Sequence, residues 1–379
     1  MKNKLKIIFT GGGSGGHTMP AVSIISSLKI IKAYSSKDID ILYIGSFNGV
    51  EKNIIKSLEI PYKSISTGKL RRYFSIKNFF DIFNIILGIM QSFFIIKSFN
   101  PDIIVSTGGF VSIPPVISGK FLKAPILIHE QTINAGLANI IAAKFADIVA
   151  LTFPDSKKYF NNKKTAVTGL PMREDVLSGN RKSAFKNLGI NPELPVVYFT
   201  GGGLGCHLLN TTALVIIEEL LSICNIIYQS GENKEFNDYA RLSELKKNLP
   251  EKLKKRFLVF DFIKDELKDI YAAADLAVSR SGAGTVCELA SMHIPAIYIP
   301  LAIATKNEQY KNARSIEEKG GAVIIEENKL SPILLKKTVT NLISSKQNKT
   351  MKKNLSKAKI INGTNNIIKL IFELAKQRQ

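Results

Sequence analysis

One pattern occurs twice in this chain. An apolar, strand-like run closes on a cluster of glycines at Thr10–Gly16 (TGGGSGG) and again at Thr200–Gly205 (TGGGLG). Glycine directly after a buried strand lets the backbone turn tightly and lets a ligand approach the main chain without meeting a Cβ. Two such turns in 379 residues predict two cores of similar construction.

The rest of the chain agrees. Strand-like runs rich in Ile and Val, without strict polar alternation, are expected at Leu5–Thr10, Asp40–Ile44, Asp102–Ser106, Pro125–His129 and Asp147–Leu151. A second set follows at Pro195–Thr200, Asn225–Gln229, Phe257–Asp261, Asp275–Ser279, Ala296–Ile299 and Ala322–Ile325. Such runs suit parallel strands covered on both faces. Helical patterns at Ala21–Lys32, Leu208–Ser222, Asn307–Lys319 and Ile367–Arg378 lie between and after them. The fold class is therefore α/β, with two Rossmann-like, doubly wound domains. Their expected bounds are 1–170 and 171–362, with Gly169–Arg173 and the polar stretch to Asn191 as linker. The last helix, within 363–379, is amphipathic and free to return to the first domain.

The stretch DLAVSRSGAGTVCELA, Asp275–Ala290, reads as a strand, a turn at Gly282 and Gly284, and a helix from Thr285. Its unpaired amides and the positive end of the helix dipole make an anion site suited to phosphate. Glu288 lies about one turn further on, in reach of hydroxyls attached to that phosphate. Phosphate with vicinal hydroxyls describes a nucleotide sugar; a plain turn with a surface Glu fits this stretch equally well.

TGGGSGGHTMPA, Thr10–Ala21, is also a strand-to-helix glycine loop. Gly11, Gly13 and Gly16 satisfy GxGxxG, but no acid ends the second strand (YIGSFN) to hold an NAD ribose. A Walker A reading fails because His17 stands where Lys is required. As an imidazole at a helix start, His17 is a candidate general base, or else a first-turn residue packed on its neighbours. STGGF (Ser106–Phe110) and HEQTINAGLAN (His129–Asn139) bring Gly108, Gly109, Glu130, Gln131, Thr132 and Asn134 to the same sheet edge.

Three cysteines, Cys206, Cys224 and Cys287, form no CxxC pair, and four histidines complete a set too sparse for a structural metal; no metal and no cofactor are expected. That cysteine usage fits a reducing compartment, and Lys2, Lys4 and Lys6 running straight into a strand do not resemble a signal peptide. The net charge of +21 reflects either a Lys-rich composition or an anionic partner. Because Lys and Arg are dispersed rather than interleaved with aromatics along one groove, no nucleic-acid partner is expected. The apolar segment Phe74–Phe99 follows Lys69, Arg71 and Arg72; Asp81 and Asn84 keep its clean run shorter than the roughly 20 residues of a bilayer span. It is expected as a buried crossover helix, as a helix resting on an anionic membrane, or as both on different faces.

GGGSGGH, HEQ…AGLAN, GLPMR, QSGE, RSGAGTVCE and ATKNEQYKNA, in this order from Thr10 to about Ala322, resemble the MurG family. Those enzymes transfer N-acetylglucosamine (GlcNAc) from UDP-GlcNAc to undecaprenyl-pyrophosphoryl-MurNAc-pentapeptide (lipid I) in peptidoglycan synthesis. The resemblance implies a GT-B architecture, with the acceptor on the first domain and the donor mainly on the second. It places donor contacts at Ser14, Gly15, Gly16, Arg173, Ile263, Ala283, Gly284, Thr285, Val286, Cys287, Glu288 and Gln309, with Thr132, Gly203, Arg280 and Glu308 beside them. In such enzymes the Glu matching Glu288 binds the ribose, the helix start meets the diphosphate, backbone near Ile263 meets uracil, and the base falls on His17. Acceptor contacts are implied at Gly12, Gly13, Gly108, Gly109, Glu130 and Asn134. The chain departs from the family at three places: Thr132 for Asn, GGGLG for GGSQG at Gly203–Leu204, and Glu308 for His or Gln.

The implied reaction is an inverting single displacement at the MurNAc 4-hydroxyl. It needs no metal, since the cleft segments hold no Asp-x-Asp pair. Implied surroundings are the cytoplasmic face of the cell (inner) membrane, bound peripherally, with other cell-wall synthesis proteins as candidate partners. Another GT-B enzyme, such as a glycolipid glycosyltransferase or a UDP-sugar 2-epimerase, is the alternative.

Overall fold

The computed structural model describes residues 4–34, 38–68, 76–160 and 163–378. The chain divides into two compact units, Met1–Arg173 with Ile361–Gln379, and Glu174–Ile360.

In the first unit the strands are β1 (Leu5–Thr10), β2 (Ile39–Ser46), β3 (Tyr62–Ile65), β4 (Ile103–Ser106), β5 (Ile126–Glu130), β6 (Ile148–Leu151) and β7 (Thr165–Val167). They form one parallel sheet in the order β3-β2-β1-β4-β5-β6-β7. Alternate residues of β1 face opposite layers. Ile7 and Phe9 pack with Ile24, Ile25 and Leu28, whereas Ile8 packs with Ile96 and Val116. Three helices position the candidate site or its surroundings: α1 (Gly15–Tyr34), α2 (Val50–Ser57) and α3 (Ile76–Phe99). The terminal helix Thr364–Lys376 buries Ile367, Ile368, Ile371 and Leu374 in the same core as Ile7 and Phe9. Asn362 and Thr364 accept the Met172 amide at 3.1 Å each.

The second unit repeats the plan with β8 (Val196–Thr200), β9 (Asn225–Gln229), β10 (Phe257–Phe260), β11 (Leu276–Ser279), β12 (Ala296–Tyr298) and β13 (Ala322–Ile324). All pairs are parallel, in the order β10-β9-β8-β11-β12-β13. In each sheet the strand order reverses beside the glycine-terminated strand, between β1 and β4 and between β8 and β11. Loops leaving the carboxyl ends of such strands splay apart and leave a crevice, where ligands of open α/β sheets bind. The glycine loops stand at those two switch points.

Every strand expected from the sequence is present, and β3 and β7 are additional. Two helices differ from expectation: α1 starts earlier, at Gly15, and the pattern Leu208–Ser222 is two helices, His207–Leu214 and Ile217–Leu221. Residues expected as linker also fold. Helices Glu174–Leu177 and Arg181–Leu188 bury Val176, Ala184 and Phe185 in the second core. Asn180 caps the second of them through the amides of Lys182 and Ser183.

The helix α3 is neither wholly buried nor wholly free. Asn84, Gly88, Gln91, Ser92 and Ile96 lie toward the protein: Gln91 accepts the Ser66 amide at 2.7 Å, and a Cβ on Gly88 would stand 2.2 Å from the Ser66 carbonyl. On the other side Ile82, Phe83, Ile86, Leu87, Met90 and Phe94 are 47–66% exposed, at spacings that place them along one face. The stretch Asp81–Phe99 has mean hydropathy 1.7 and is long and apolar enough to cross a membrane by length and composition, despite Asp81 and Asn84. Lys69, Arg71 and Arg72, the expected basic rim, lie outside the described residues, as does Phe74.

Candidate functional site

In the first unit the glycine loop after β1 is built around buried groups. Gly11, Gly12 and Gly13 have φ of 151°, 148° and 82°. A Cβ on Gly11 would stand 2.3 Å from Thr107 Oγ1, and one on Gly12 2.5 Å from Glu51 Cδ. The Gly12 amide donates to the Gly108 carbonyl (3.2 Å) and the Gly13 amide to Glu51 Oε2 (3.1 Å), so neither amide points to a ligand. Ser14, Gly15 and Gly16 are exposed where α1 begins. The first amides of a helix have no acceptor within it, so this is the anion-facing part of the loop.

His17 is half-buried, with Nδ1 3.2 Å from the Thr107 carbonyl. A carbonyl only accepts, so Nδ1 carries a proton and Nε2 is the nitrogen left open to a ligand. Gln131 Nε2 donates to the same carbonyl. The ring lies across Gly108 and Gly109, whose missing Cβ atoms would stand 3.1 Å and 3.3 Å from its Nδ1 and Cδ2. The second glycine loop is therefore a seat for the imidazole.

Three residues expected to touch a ligand are instead turned into the protein. Glu130 is buried, and its carboxylate accepts from the Thr132 amide and hydroxyl (3.0 Å each), the Gly136 amide (3.1 Å) and Asn139 Nδ2 (2.9 Å). Asn134 is buried and accepts from the Tyr159 hydroxyl at 3.0 Å. The Thr132 hydroxyl shares its proton between Glu130 and the Asn134 carbonyl, 2.7 Å away. Together they shape the loop after β5. His129, buried beneath it, has its pKa pushed down to about 4 by burial and stays neutral. Arg173 is half-buried at the last residue of this part of the unit.

In the second unit the helix Ala283–Ser291 starts at Gly282 without a side-chain cap. A Cβ at Gly282 or Gly284 would meet nothing within 4 Å, so no protein neighbour demands these glycines; the space over the helix start is open. Gly284 is exposed, Thr285 and Glu288 are half-buried, and Ala283, Val286 and Cys287 are buried. Val286 and Cys287 therefore belong to the packed face; burial, then the Glu288 charge, pushes the Cys287 thiol up to about 12. Glu288 Oε2 accepts from the hydroxyl of buried Tyr271 at 2.8 Å, which holds the half-buried carboxylate in place.

The loops around that helix are tied by three side chains: Gln229 and Asn312, which sequence reasoning passed over, and Gln309, which the resemblance placed among the donor contacts. Gln229 donates to Thr200 Oγ1 (3.2 Å) and the Gly202 carbonyl (3.0 Å) and accepts the Ile263 amide (3.1 Å), joining the ends of β8, β9 and β10. Gln309 accepts from the amides of Ser281 (3.3 Å) and Leu301 (3.1 Å), and Asn312 donates to the Ser281 carbonyl at 3.2 Å. Gly203 is exposed, its carbonyl accepting the Glu232 amide at 2.9 Å, and half-buried Glu308 opens the helix Glu308–Glu317. Arg280 is not a cation offered to a ligand. Its guanidinium is paired with Glu327 and donates to the Ile299 carbonyl (3.0 Å), while Glu327 Oε2 accepts the Ala302 amide at 2.8 Å. Both partners are largely buried, so removing either leaves an uncompensated charge.

Comparison with known proteins identifies the family. Residues 7–151 match the glycosyltransferase family 28 N-terminal domain and 196–369 its C-terminal domain. A Clostridium perfringens UDP-N-acetylglucosamine–N-acetylmuramyl-(pentapeptide) pyrophosphoryl-undecaprenol N-acetylglucosamine transferase is 40% identical over 373 residues, covering 98% of this chain and 99% of the relative. Its namesake in Clostridium botulinum is 36% identical over 374 residues, with the same coverage. The crystal structure of Acinetobacter baumannii MurG superposes with a TM-score of 0.73 at 24% identity, over 97% of this chain and 99% of that one. This chain belongs to the MurG family. A Neisseria meningitidis UDP-GlcNAc 2-epimerase bound to UDP-GlcNAc shares the fold, with a TM-score of 0.63 at 14% identity, over 99% of this chain and all of that one (100%). The GT-B architecture, common to transferase and epimerase, therefore does not choose between them; the full-length relatives favour the transferase.

Proposed function

We propose that this chain transfers GlcNAc from UDP-GlcNAc to the 4-hydroxyl of MurNAc in lipid I, with His17 as base and the helix start at Ala283–Thr285 holding the departing diphosphate. The observation that carries the residue assignment is the His17–Thr107 bond, since it engages Nδ1 and leaves Nε2 as the nitrogen open to substrate, with the ring seated on Gly108–Gly109. His17 Nε2 takes the hydroxyl proton as that oxygen attacks the anomeric carbon from the face opposite UDP. The bond from that carbon to the diphosphate breaks, its electron pair leaves with UDP, and the configuration inverts. Amides at a helix start stabilise the charge that develops on the leaving group.

Glu288 is the ribose ligand on this reading, and Gln309 sets the turn that shapes the diphosphate site. Arg280 holds the 299–302 loop in place through Glu327 and is not assigned to the diphosphate. The Ile263 amide is spent on Gln229, so uracil would be read there through its N3–H donor on a backbone carbonyl. The amides of Ser14, Gly15 and Gly16 are proposed to meet the acceptor's diphosphate or the donor's sugar. UDP release from UDP-GlcNAc should require the lipid acceptor; an epimerised UDP-sugar formed without acceptor would favour the epimerase reading.

The exposed face of α3 is proposed to rest on the cytoplasmic face of the cell (inner) membrane, where a soluble nucleotide sugar meets a lipid-linked acceptor. The +21 charge supports an anionic surface. The packed side at Asn84, Gly88 and Ser92 argues for lying on the bilayer rather than crossing it. Burying one such apolar side chain is worth about 1.5–3 kcal/mol. Ile86→Asp with Phe94→Asp should therefore weaken binding to phosphatidylglycerol-containing vesicles at least tenfold without altering activity on a detergent-dispersed acceptor. Unchanged vesicle binding would remove α3 from the membrane contact.

A further inference from the structure

Glu51 carries a carboxylate that the reaction scheme does not use, at a position with no exposed surface. It lies in the first turn of α2, whose dipole favours a negative charge. Its Oε2 accepts the Gly13 amide at 3.1 Å, and its Oε1 accepts the Ser46 amide at 3.0 Å and the Ser46 hydroxyl at 2.5 Å. Backbone is wrapped closely round it: a Cβ on Gly49 would stand 2.1 Å from Oε2, and one on Gly12 2.7 Å from the same oxygen. The Tyr43 hydroxyl donates to the Gly11 carbonyl (2.8 Å) and the Tyr62 hydroxyl to the Ser46 carbonyl (2.7 Å), with the two rings stacked. Burial, then the Glu51 charge, raises both tyrosine pKa values, so these hydroxyls stay protonated as donors.

Two backbone amides, one against each oxygen, can donate only. A carboxylate satisfies both, whereas a carboxamide of the same shape must turn its own N–H groups toward one of them. The arrangement is therefore specific for an acid. It also decides which amides of the first glycine loop remain for a ligand: Gly13 is turned inward, and the chain then leaves Ser14, Gly15 and Gly16 outward before His17.

We infer that Glu51 is a positioning residue for the acceptor: its ionised carboxylate anchors Gly13 and Ser46 from behind, so that the outward amides and His17 are preset for the acceptor's diphosphate and hydroxyl. This rests on the acceptor assignment made above. The buried anion touches no substrate, and its effect passes entirely through the loop.

The test uses the full chain with Glu51→Gln, reading amide hydrogen exchange over Gly11–His17 together with steady-state transfer from UDP-GlcNAc to a short-chain lipid I analogue. Exchange in that segment should accelerate at least tenfold. The acceptor kcat/KM should fall at least tenfold, while UDP affinity stays within twofold and the circular dichroism stays native. Ser46→Ala removes one hydroxyl from Oε1 and should lower the acceptor kcat/KM by about two- to fivefold; it carries the test if Glu51→Gln does not fold. A folded Glu51→Gln protein with native exchange and an unchanged acceptor kcat/KM would overturn the inference, as would UDP affinity falling in step with acceptor use. If the wild-type protein transfers no GlcNAc, the functional reading fails, and the exchange measurement still decides whether Glu51 holds the loop.

Discussion

Replacing His17 by alanine is expected to lower kcat by about 100- to 10,000-fold, the usual contribution of a positioned general base, while UDP affinity measured by calorimetry changes less than twofold. The split follows from where the ring sits. His17 belongs to the first glycine loop and bonds to Thr107, and both lie in the first unit, whereas the helix proposed to hold UDP is in the second. The imidazole also fills the space above Gly108 and Gly109, so alanine leaves a gap on the surface rather than in the core. A loss of kcat with normal stability thus reports chemistry. Turnover near the wild-type rate would take His17 out of the reaction and return it to the packing role that its sequence position equally allowed.

Glu288→Ala should weaken donor binding about 10- to 100-fold, since hydrogen bonds to a charged group are worth about 1.5–3 kcal/mol and each 1.4 kcal/mol is tenfold in affinity. It has a second consequence. Tyr271 is buried and gives its hydroxyl to Glu288, so alanine strands that donor and should lower stability by about 1–3 kcal/mol. Glu288→Gln separates the two effects, because an amide oxygen still accepts from Tyr271 while the charge is lost. Calorimetry with UDP and UDP-GlcNAc, beside thermal unfolding, reads both. Donor affinity unchanged in Glu288→Ala would remove this residue from the ribose site.

The parts of this molecule legible in the sequence share one property: their cause is local. The strands β1, β8 and β11 are continuous apolar runs, and the glycines after them announce the turns. The missed strands are short, three residues (TAV) at β7 and four (YKSI) at β3, each held at a sheet edge by a neighbour rather than by its own pattern. Site residues divide in the same way. The spacing of Gly282, Gly284 and Glu288 announced the turn and helix in which they lie. Arg280 was misread because a cation beside an anion site looks like a ligand for it, and only the fold brings Glu327 alongside to neutralise it. Glu130 and Asn134 looked like loop polar groups facing outward; their inward orientation depends on Asn139 and Tyr159. Glu51 sits in VEKNIIKS, where an acid among lysines reads as a solvated helix face, yet the loop from Ser46 to Gly49 and the glycines after β1 close over it. Gln229 is a neutral amide whose importance lies in joining loops far apart in the chain; Gln309, placed among the donor contacts by resemblance, accepts the amides of Ser281 and Leu301.

The account's central claim is a single inverting displacement on a lipid-linked acceptor. Its most direct test is the structure of the product formed from UDP-GlcNAc and a short-chain lipid I analogue, determined by mass spectrometry and proton NMR. The prediction is one GlcNAc joined through a β-linkage to the MurNAc 4-oxygen, with one UDP released per transfer. An α-linked product, transfer to a different hydroxyl, or an epimerised UDP-sugar formed without acceptor would contradict it.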